Sequence, residues 1–215
     1  EPFDSPLFDD MFAYLEETQT PTLFHVNDPL SFWDDNKIPD FAVKNGWCYS
    51  EPGYETAEQL YSEIDTVMRR HPKLKILFPH VYFLSDDLPR LGEFLDRYEN
   101  VRTDLTPGIE MYDSFSDAPD AARAFFLHYS KKILFGTDNT GNAADQEGED
   151  YVSRSAGVIR FVREFLETEH TMSSWGASLN GIALPYDTAN DIYRENFYRF
   201  VGRKPKKIHI SKAAA

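Results

Sequence analysis

Residues 71–80 read HPKLKILFPH, and residues 132–138 read KILFGTD. In each stretch a short, continuous apolar run ends at a side chain that can carry chemistry. Apolar runs of this length are typical of strands that are buried on both faces of a parallel sheet. The two stretches therefore predict strands at Leu74–Phe78 and Ile133–Phe135, each with a functional residue at its carboxyl end.

Two further apolar runs, Thr22–Val26 and Val101–Leu105, extend this pattern outward, and amphipathic segments alternate with the four runs. The predicted helices are Met11–Thr18, Thr56–His71, Asp86–Tyr98, Ala118–Tyr129, Tyr151–Thr168 and Thr188–Val201. The predicted loops are a long polar and aromatic one at Asn27–Glu55 and a surface loop at Asn139–Glu149. Strands that alternate with helices indicate the α/β class, with a parallel sheet covered by helices.

The composition, 41% hydrophobic, 27% charged and 15% aromatic, is that of a folded chain with one sizeable core. We expect one domain at residues 1–202 and a basic tail at 203–215. The formal net charge of -14 argues against a nucleic-acid partner, because acidic surfaces repel phosphate. The lone Cys48 allows no internal disulfide and no cysteine-based zinc site. Without a long apolar run or a leader-like start, we expect a cytoplasmic protein with no membrane partner.

Three of the four predicted strands end at residues that can bind metals, namely His25, His80 and Asp138. The carboxyl ends of parallel strands share one edge of the sheet, where the following loops open around a common crevice. Imidazole and carboxylate groups bind Zn²⁺, Mn²⁺ or Fe²⁺, and such an ion activates a water molecule. The spacing therefore predicts a shared metal site, against the alternative of separate hydrogen-bonded polar residues. Asp104, at the end of VRTD, either faces the same crevice or fixes a neighbouring loop or arginine.

Five segments together resemble the metal-dependent amidohydrolase-related family. They are PTLFHVNDP (21–29), HPKLKILFPH (71–80), NVRTDL (100–105), ILFGTDN (133–139) and IYRENFYRFVG (192–202). The family includes 2-amino-3-carboxymuconate-semialdehyde decarboxylase, resorcylate decarboxylases and several lactonases, and the resemblance runs over most of residues 7–202. It implies a TIM (β/α)8 barrel of the metal-dependent hydrolase type, of which this chain covers about the last four βα units.

The resemblance also implies roles for the three strand-end residues. His25 would follow the fifth barrel strand and be a metal ligand. His80, after the sixth strand, would lie beside the metal and handle the activated water or a substrate proton. Asp138, after the eighth strand, would bind the metal or act as the base. The implied cofactor is a divalent metal, with zinc first and manganese or iron as alternatives.

The sequence departs from the family at one point. The family opens with a His-x-His pair after its first strand, and this sequence contains none. Four βα units are also too few for a closed barrel, which takes about 250 residues. We therefore expect either that this sequence is the C-terminal portion of a longer protein or that the missing N-terminal half of the barrel comes from elsewhere as a partner. The resemblance makes a homo-oligomer an expectation as well. Alone, this piece is predicted to bind metal weakly or not at all.

Loop residues near the same edge of the sheet are candidates for contacting a small-molecule substrate. They lie in the long loop after His25, just after His80 and after the third strand, and are Trp33, Trp47, Tyr49, Glu51, Tyr82, Glu110 and Tyr112. Loops at this face shape specificity in barrels, and aromatic rings there suit an organic substrate with a flat or apolar part. The alternative is that these rings only pack the long loops.

Three functions stay open at this point. The first is a metal-dependent hydrolase, in which a metal-activated water attacks an ester, lactone or amide of a small organic acid, with His80 or Asp138 handling the proton. The second is a metal-dependent non-oxidative decarboxylase of a carboxylated aromatic or muconate-like acid, which needs a cation for the substrate carboxylate. The third is a non-catalytic scaffold derived from a barrel that lost the His-x-His pair.

Overall fold

The computed structural model of the protein describes residues 1–108, 110–138, 148–174 and 177–203. Within these ranges the helices are α1 (Asp9–Thr18), α2 (Asp40–Lys44), α3 (Ala57–Arg70), α4 (Leu88–Arg97), α5 (Met111–Asp117), α6 (Pro119–His128), α7 (Gly148–Glu167), α8 (Tyr186–Asn190) and α9 (Asn196–Val201). The strands are β1 (Thr22–Leu23), β2 (Ile76–Phe78), β3 (Val101–Asp104), β4 (Ile133–Leu134), β5 (Thr171–Ser174) and β6 (Ala177–Asn180). The predicted tail beyond residue 203 lies outside the described residues, as do residues 139–147 of the predicted loop.

The four predicted strands form one parallel sheet in the order β1-β2-β3-β4. Each strand pairs with the next along the chain, so that Thr22 lies opposite Ile76, and Ile76 lies opposite Val101. The α/β prediction is therefore confirmed. The hydrogen-bonded strands are shorter than the apolar runs that predicted them, because β1 and β4 each leave the ladder within a few residues of the candidate site.

A second, antiparallel sheet of two strands, β5 and β6, was not predicted. Each of these strands has a single large apolar residue, Met172 or Leu179, and the two are paired in register and buried. One apolar residue in each four-residue strand is too weak a signal for period-two analysis, so this hairpin depends on its packing partners.

Helix α3 shows how local sequence fixes an element of the covering layer. Thr56 caps it, as predicted: the Thr56 hydroxyl accepts from the Gln59 N–H at 3.2 Å, and the Gln59 side chain accepts from the Thr56 N–H at 2.8 Å. Ile64, Val67 and Met68 of α3 are buried at helical spacing. The predicted closing helix begins earlier than expected, with α8, and reaches α9 through a π-helical turn. No helix in the described ranges is long and apolar enough to span a membrane.

Side chains of the parallel sheet alternate between two faces, and this alternation decides which residues reach the candidate site. Ile76 and Phe78 belong to the large core that includes residues of α3 and α4. Leu77, between them, belongs to a separate cluster with Leu134 of β4 and Phe200 of α9. The face of the sheet that carries Leu77 is therefore the face that α9 partly covers.

Candidate active site

His25 and His80 meet at the carboxyl edge of the sheet. His25 follows β1 and His80 follows β2, and these two strands are direct neighbours. The two imidazole rings are in edge-to-face contact, with centroids 5.3 Å apart. The Phe83 ring packs against both imidazoles, and its centroid lies 5.3 Å from that of His25 and 5.0 Å from that of His80. The two predicted metal-binding histidines are thus brought together.

Asp138 borders the same cavity as the two histidines, and so does Asp104. This cavity has a volume of about 510 Å³. Its walls are mostly apolar and come from β1, β2, β4, the segment after β4, and α9: Leu23, Leu77, Leu134, Phe135, Phe197, Phe200 and Val201. Asp138 itself has left-handed backbone, with φ of 55°, so the chain turns sharply there after β4. The histidines and carboxylates thus form a polar edge beside the apolar walls of the cavity.

Two hydrogen bonds tie His80 to the end of β3, and a third holds the segment that accepts one of them. Its backbone N–H donates to Oδ1 of Asp104 at 3.1 Å, and the Thr106 N–H donates to the same oxygen at 3.0 Å. The Nδ1 atom of His80 lies 3.1 Å from the carbonyl oxygen of Thr106. A carbonyl oxygen only accepts hydrogen bonds, so this contact requires the proton of the ring to sit on Nδ1.

Burial shifts the pKa of two groups at the site. It lowers the pKa of His25 below the ordinary 6.5, and the neighbouring His80 acts in the same direction, while nearby carboxylates oppose it. The neutral imidazole, which is the form that binds metals, is therefore favoured at His25. Burial raises the pKa of Asp104, and hydrogen bonds from Thr106 and His80 partly offset that effect.

The chain leaves β2 through four consecutive residues in the left-handed region. His80, Val81, Tyr82 and Phe83 have φ of 55°, 55°, 56° and 54°. This backbone costs a residue with a side chain about 1–2 kcal/mol, and such strain tends to cluster at functional sites. The Tyr61 hydroxyl holds the turn by donating to the carbonyls of Tyr82 at 3.0 Å and Phe83 at 3.3 Å. The strained turn fixes the direction in which His80 enters the cavity.

The side chains at the site are of the types that bind a divalent metal, but the described residues bring too few of them together. Within the described ranges, no group of three or more His, Cys, Asp and Glu side chains lies close enough together to hold a metal ion. His25 and His80 form a contacting pair, and Asp138 borders the cavity without completing the set. Catalytic zinc sites typically use more protein ligands than this pair provides.

The predicted substrate-contacting residues of the long loop pack against one another. The Trp33 indole N–H donates to the carbonyl of Glu55 at 2.9 Å, and its ring lies 4.8 Å from that of Tyr49. The Tyr49 hydroxyl donates to Asp28 at 2.8 Å, and Trp47 is stacked near Phe32. These three rings do not border the 510 Å³ cavity, and neither does the exposed Glu51. The structure places them with the loop rather than with the histidines.

The other three candidates are divided between the core and the site. Tyr82 is buried against the rings of Phe78 and Phe94, on the helix side of the sheet. Tyr112 is buried too, and its hydroxyl donates to the carbonyl of Leu105 at 3.0 Å. Glu110 borders a small cavity of about 40 Å³, which His80 also borders. Of the three, only Glu110 shares a cavity with a strand-end histidine.

Sequence reasoning missed Thr106 and Gly136, which shape the site through backbone contacts. Thr106 stands two residues after Asp104, so an extended chain returns it to the same face, and this spacing was the available signal. A Cβ atom at Gly136 would lie 2.1 Å from the Thr106 hydroxyl oxygen. Nothing in the local sequence reveals this contact, because it joins two different strand ends.

The sequence model of a family described as Amidohydrolase matches residues 1–203. No curated protein matches the chain.

Two solved structures share the fold. An uncharacterised TIM-barrel protein from Bordetella bronchiseptica has a TM-score of 0.51 at 15% identity, and the match covers 94% of this chain and 52% of that one. A protein described as amidohydrolase II has a TM-score of 0.52 at 14% identity, with 94% and 57% covered. The fold is thus of the TIM-barrel type, as predicted, and the chain spans about half the length of these structures.

Proposed function

The chain belongs to the amidohydrolase family, whose sequence model matches residues 1–203, and from this premise we propose that it forms one side of a hydrolase active site. The proposed reaction is metal-dependent hydrolysis of an ester, lactone or amide bond in a small organic acid. The observation that carries the proposal is the contact between the His25 and His80 imidazoles at a cavity that Asp138 also borders.

His80 is suited to move a proton in this reaction. Its Nδ1–H is engaged by the Thr106 carbonyl, so the lone pair of the ring lies on Nε2. An imidazole with one unprotonated nitrogen accepts a proton from water and returns it to the leaving group, as general base and then general acid. Asp138 is the alternative proton acceptor, because it borders the same cavity.

The cavity suits an organic substrate of modest size. Its volume of about 510 Å³ lies within the range of small-molecule sites, roughly 300–1,000 Å³. Leu23 and Phe197 are 64% and 52% exposed, and both line it, so an apolar substrate body would cover them. The reacting bond would then lie toward the imidazoles at the polar edge.

The family is generally metal-dependent, and His25 supplies an imidazole of the type that zinc, manganese and iron bind, while His80 as a proton acceptor would lie beside the metal. When bound, such a metal supplies a water molecule of lowered pKa and polarises a substrate oxygen. The described residues hold too few ligands for this alone. This chain matches only about half of each known structure. We propose that the remaining ligands lie in the other half of such a barrel.

Site variants of the protein at its natural full length test the proposal. Hydrolysis of p-nitrophenyl esters, lactones and anilides is measured for the wild type, His25→Ala, His80→Ala and Asp138→Asn, together with metal content. We expect each variant to lose most of its activity and His25→Ala to lose metal as well. His128→Ala, on the exposed face of α6, is the matched control and should behave as wild type. Retained hydrolysis in all three site variants would remove the proposed centre.

The reaction product distinguishes the decarboxylase alternative from the proposed hydrolase. Carbon dioxide release from hydroxylated benzoic acids and muconate-like acids is followed in parallel with hydrolysis. Carbon dioxide release that depends on His80 and Asp138, without hydrolysis, would favour the lyase. A protein that binds metal and catalyses neither reaction would favour the scaffold.

A further inference from the structure

Asp104 lies at the centre of a small hydrogen-bonded bracket behind His80. It is 5% exposed, and one oxygen of its carboxylate, Oδ1, accepts from the backbone N–H of both His80 and Thr106, at 3.1 Å and 3.0 Å. Thr106 in turn presents its carbonyl to Nδ1 of the His80 ring at 3.1 Å. The carboxylate therefore fixes both the backbone of His80 and the acceptor that its ring uses.

The bracket has a chemical consequence for the His80 ring. Which imidazole nitrogen carries the proton is set by the hydrogen bond of the other nitrogen, and a carbonyl partner can only be an acceptor. Free imidazole side chains in water favour the proton on Nε2, whereas the Thr106 carbonyl requires it on Nδ1. Without that carbonyl, the ring would no longer be held in the tautomer in which Nε2 is unprotonated.

Close packing keeps the bracket in one position. A Cβ atom at Gly136 would lie 2.1 Å from the Thr106 hydroxyl oxygen, 2.9 Å from the Thr106 backbone nitrogen and 3.0 Å from Cγ of Asp104. The ends of β3 and β4 thus approach so closely that only glycine fits between them. Thr106 cannot move toward β4, so its carbonyl stays aligned with His80.

We infer that Asp104 is a positioning residue that, through Thr106, holds His80 in the tautomer with the proton on Nδ1 and the lone pair on Nε2. Asp104 needs no contact with substrate to do this. The tautomer follows from the hydrogen bonds alone, and only its use as a proton acceptor rests on the proposed function.

Nitrogen-15 NMR of the imidazole rings tests the inference without substrate. The full-length protein is labelled at histidine nitrogens, treated with chelator and studied at about pH 8, where imidazole groups of ordinary pKa are neutral. We expect the wild-type His80 signal to show a protonated Nδ1. Asp104→Ala should shift it toward a protonated Nε2, while Asp104→Asn should keep the wild-type signal, because the amide oxygen still accepts from two N–H groups.

Controls separate positioning from general destabilisation. Asp96→Ala removes a carboxylate that accepts from the Tyr129 hydroxyl just after α6, away from the site, and should leave the His80 signal unchanged. His71 provides an internal reference in each variant, and its signal should stay constant. If hydrolysis is found, Asp104→Ala should lower kcat by about 10- to 100-fold with little change in KM, and Asp104→Asn should restore most of the rate.

A wild-type His80 with its proton on Nε2 would overturn the inference, as would an unchanged tautomer in Asp104→Ala. A shift in Asp104→Asn equal to that in Asp104→Ala would also contradict it. A wild type with the expected tautomer but no hydrolysis would refute the proposed function and leave this inference standing.

Discussion

Replacing Gly136 with alanine is expected to destabilise the protein, although glycine-to-alanine changes often stabilise. The new Cβ would lie 2.1 Å from the Thr106 hydroxyl oxygen, and 2.9 Å and 3.0 Å from the Thr106 nitrogen and Asp104 Cγ. Two of these neighbours belong to the backbone or to a carboxylate that accepts two N–H groups, so they cannot rotate away. Overpacking at such a site costs about 1–3 kcal/mol.

The same substitution also has a stabilising effect, which is smaller than the cost of overpacking. Alanine reduces the conformational entropy of the unfolded chain, which stabilises by about 0.4–1 kcal/mol where the backbone is compatible. The net loss for Gly136→Ala is therefore about 1–2 kcal/mol, and a chain of this size loses roughly 2–4 °C in Tm per kcal/mol. Thermal unfolding followed by circular dichroism should show a lower Tm, by about 2–8 °C.

Gly157, in the interior of α7, is the matched control. A Cβ there would meet nothing within 4 Å. The same substitution should stabilise the protein by about 0.5–1 kcal/mol, because glycine is costly inside a helix. Thr106→Ala should recover part of the loss in Gly136→Ala by removing the nearest atom, with a coupling of about 0.5 kcal/mol or more in a double-mutant cycle. A Gly136→Ala protein as stable as wild type would refute the packing argument.

Three further outcomes are expected. Tyr61→Phe removes the hydroxyl that donates to two carbonyls of the left-handed turn, so denaturant unfolding should show a loss of about 1–2 kcal/mol, whereas Tyr14→Phe on the exposed face of α1 should be neutral. Arg90 donates two hydrogen bonds to Glu58 and lowers its pKa below 4.5, so this stabilisation is present above the unfolded-state pKa and is lost as pH falls through the folded-state pKa. Because the pair is exposed, Glu58→Gln should cost less than about 1 kcal/mol at pH 7 and nothing in acid, while Glu93→Gln should match wild type at both pH values. Calorimetric titration of the 215-residue chain with Zn²⁺ should detect weak or no binding, and tight one-to-one binding would contradict the incomplete ligand set described above.

The local pattern was sufficient for the parallel sheet and its covering helices. The apolar runs of β2 and β4 have no polar interruption, and Thr56 with Gln59 forms a capping box that can be read directly from sequence. The β5–β6 hairpin could not be found in this way, because its stability comes from the buried pair of Met172 and Leu179. Only the folded chain shows that these two residues are buried.

The candidate site was predictable in part. Period-two alternation places Leu23 and His25 on one face, and parallel pairing puts the ends of β1 and β2 at one edge, so the sequence predicts that His25 and His80 lie at the same edge. The contact between their rings depends on the left-handed turn at His80, which only the structure shows. The role of the aromatic loop residues did not follow, because Trp33 and Tyr49 satisfy their polar groups within the loop. The presence of aromatic residues in a loop does not show which way their rings point.

The sequence by itself determined the order of strands and helices, and which side chains end each strand, because these depend on period and on neighbours along the chain. Only the tertiary structure decided that Thr106 fixes the His80 ring and that Gly136 admits no side chain, while Gly157 has open space around it. The physical reason is that a hydrogen bond or a steric contact acts over a few ångströms. Residues tens of positions apart come within that range only when the sheet has formed.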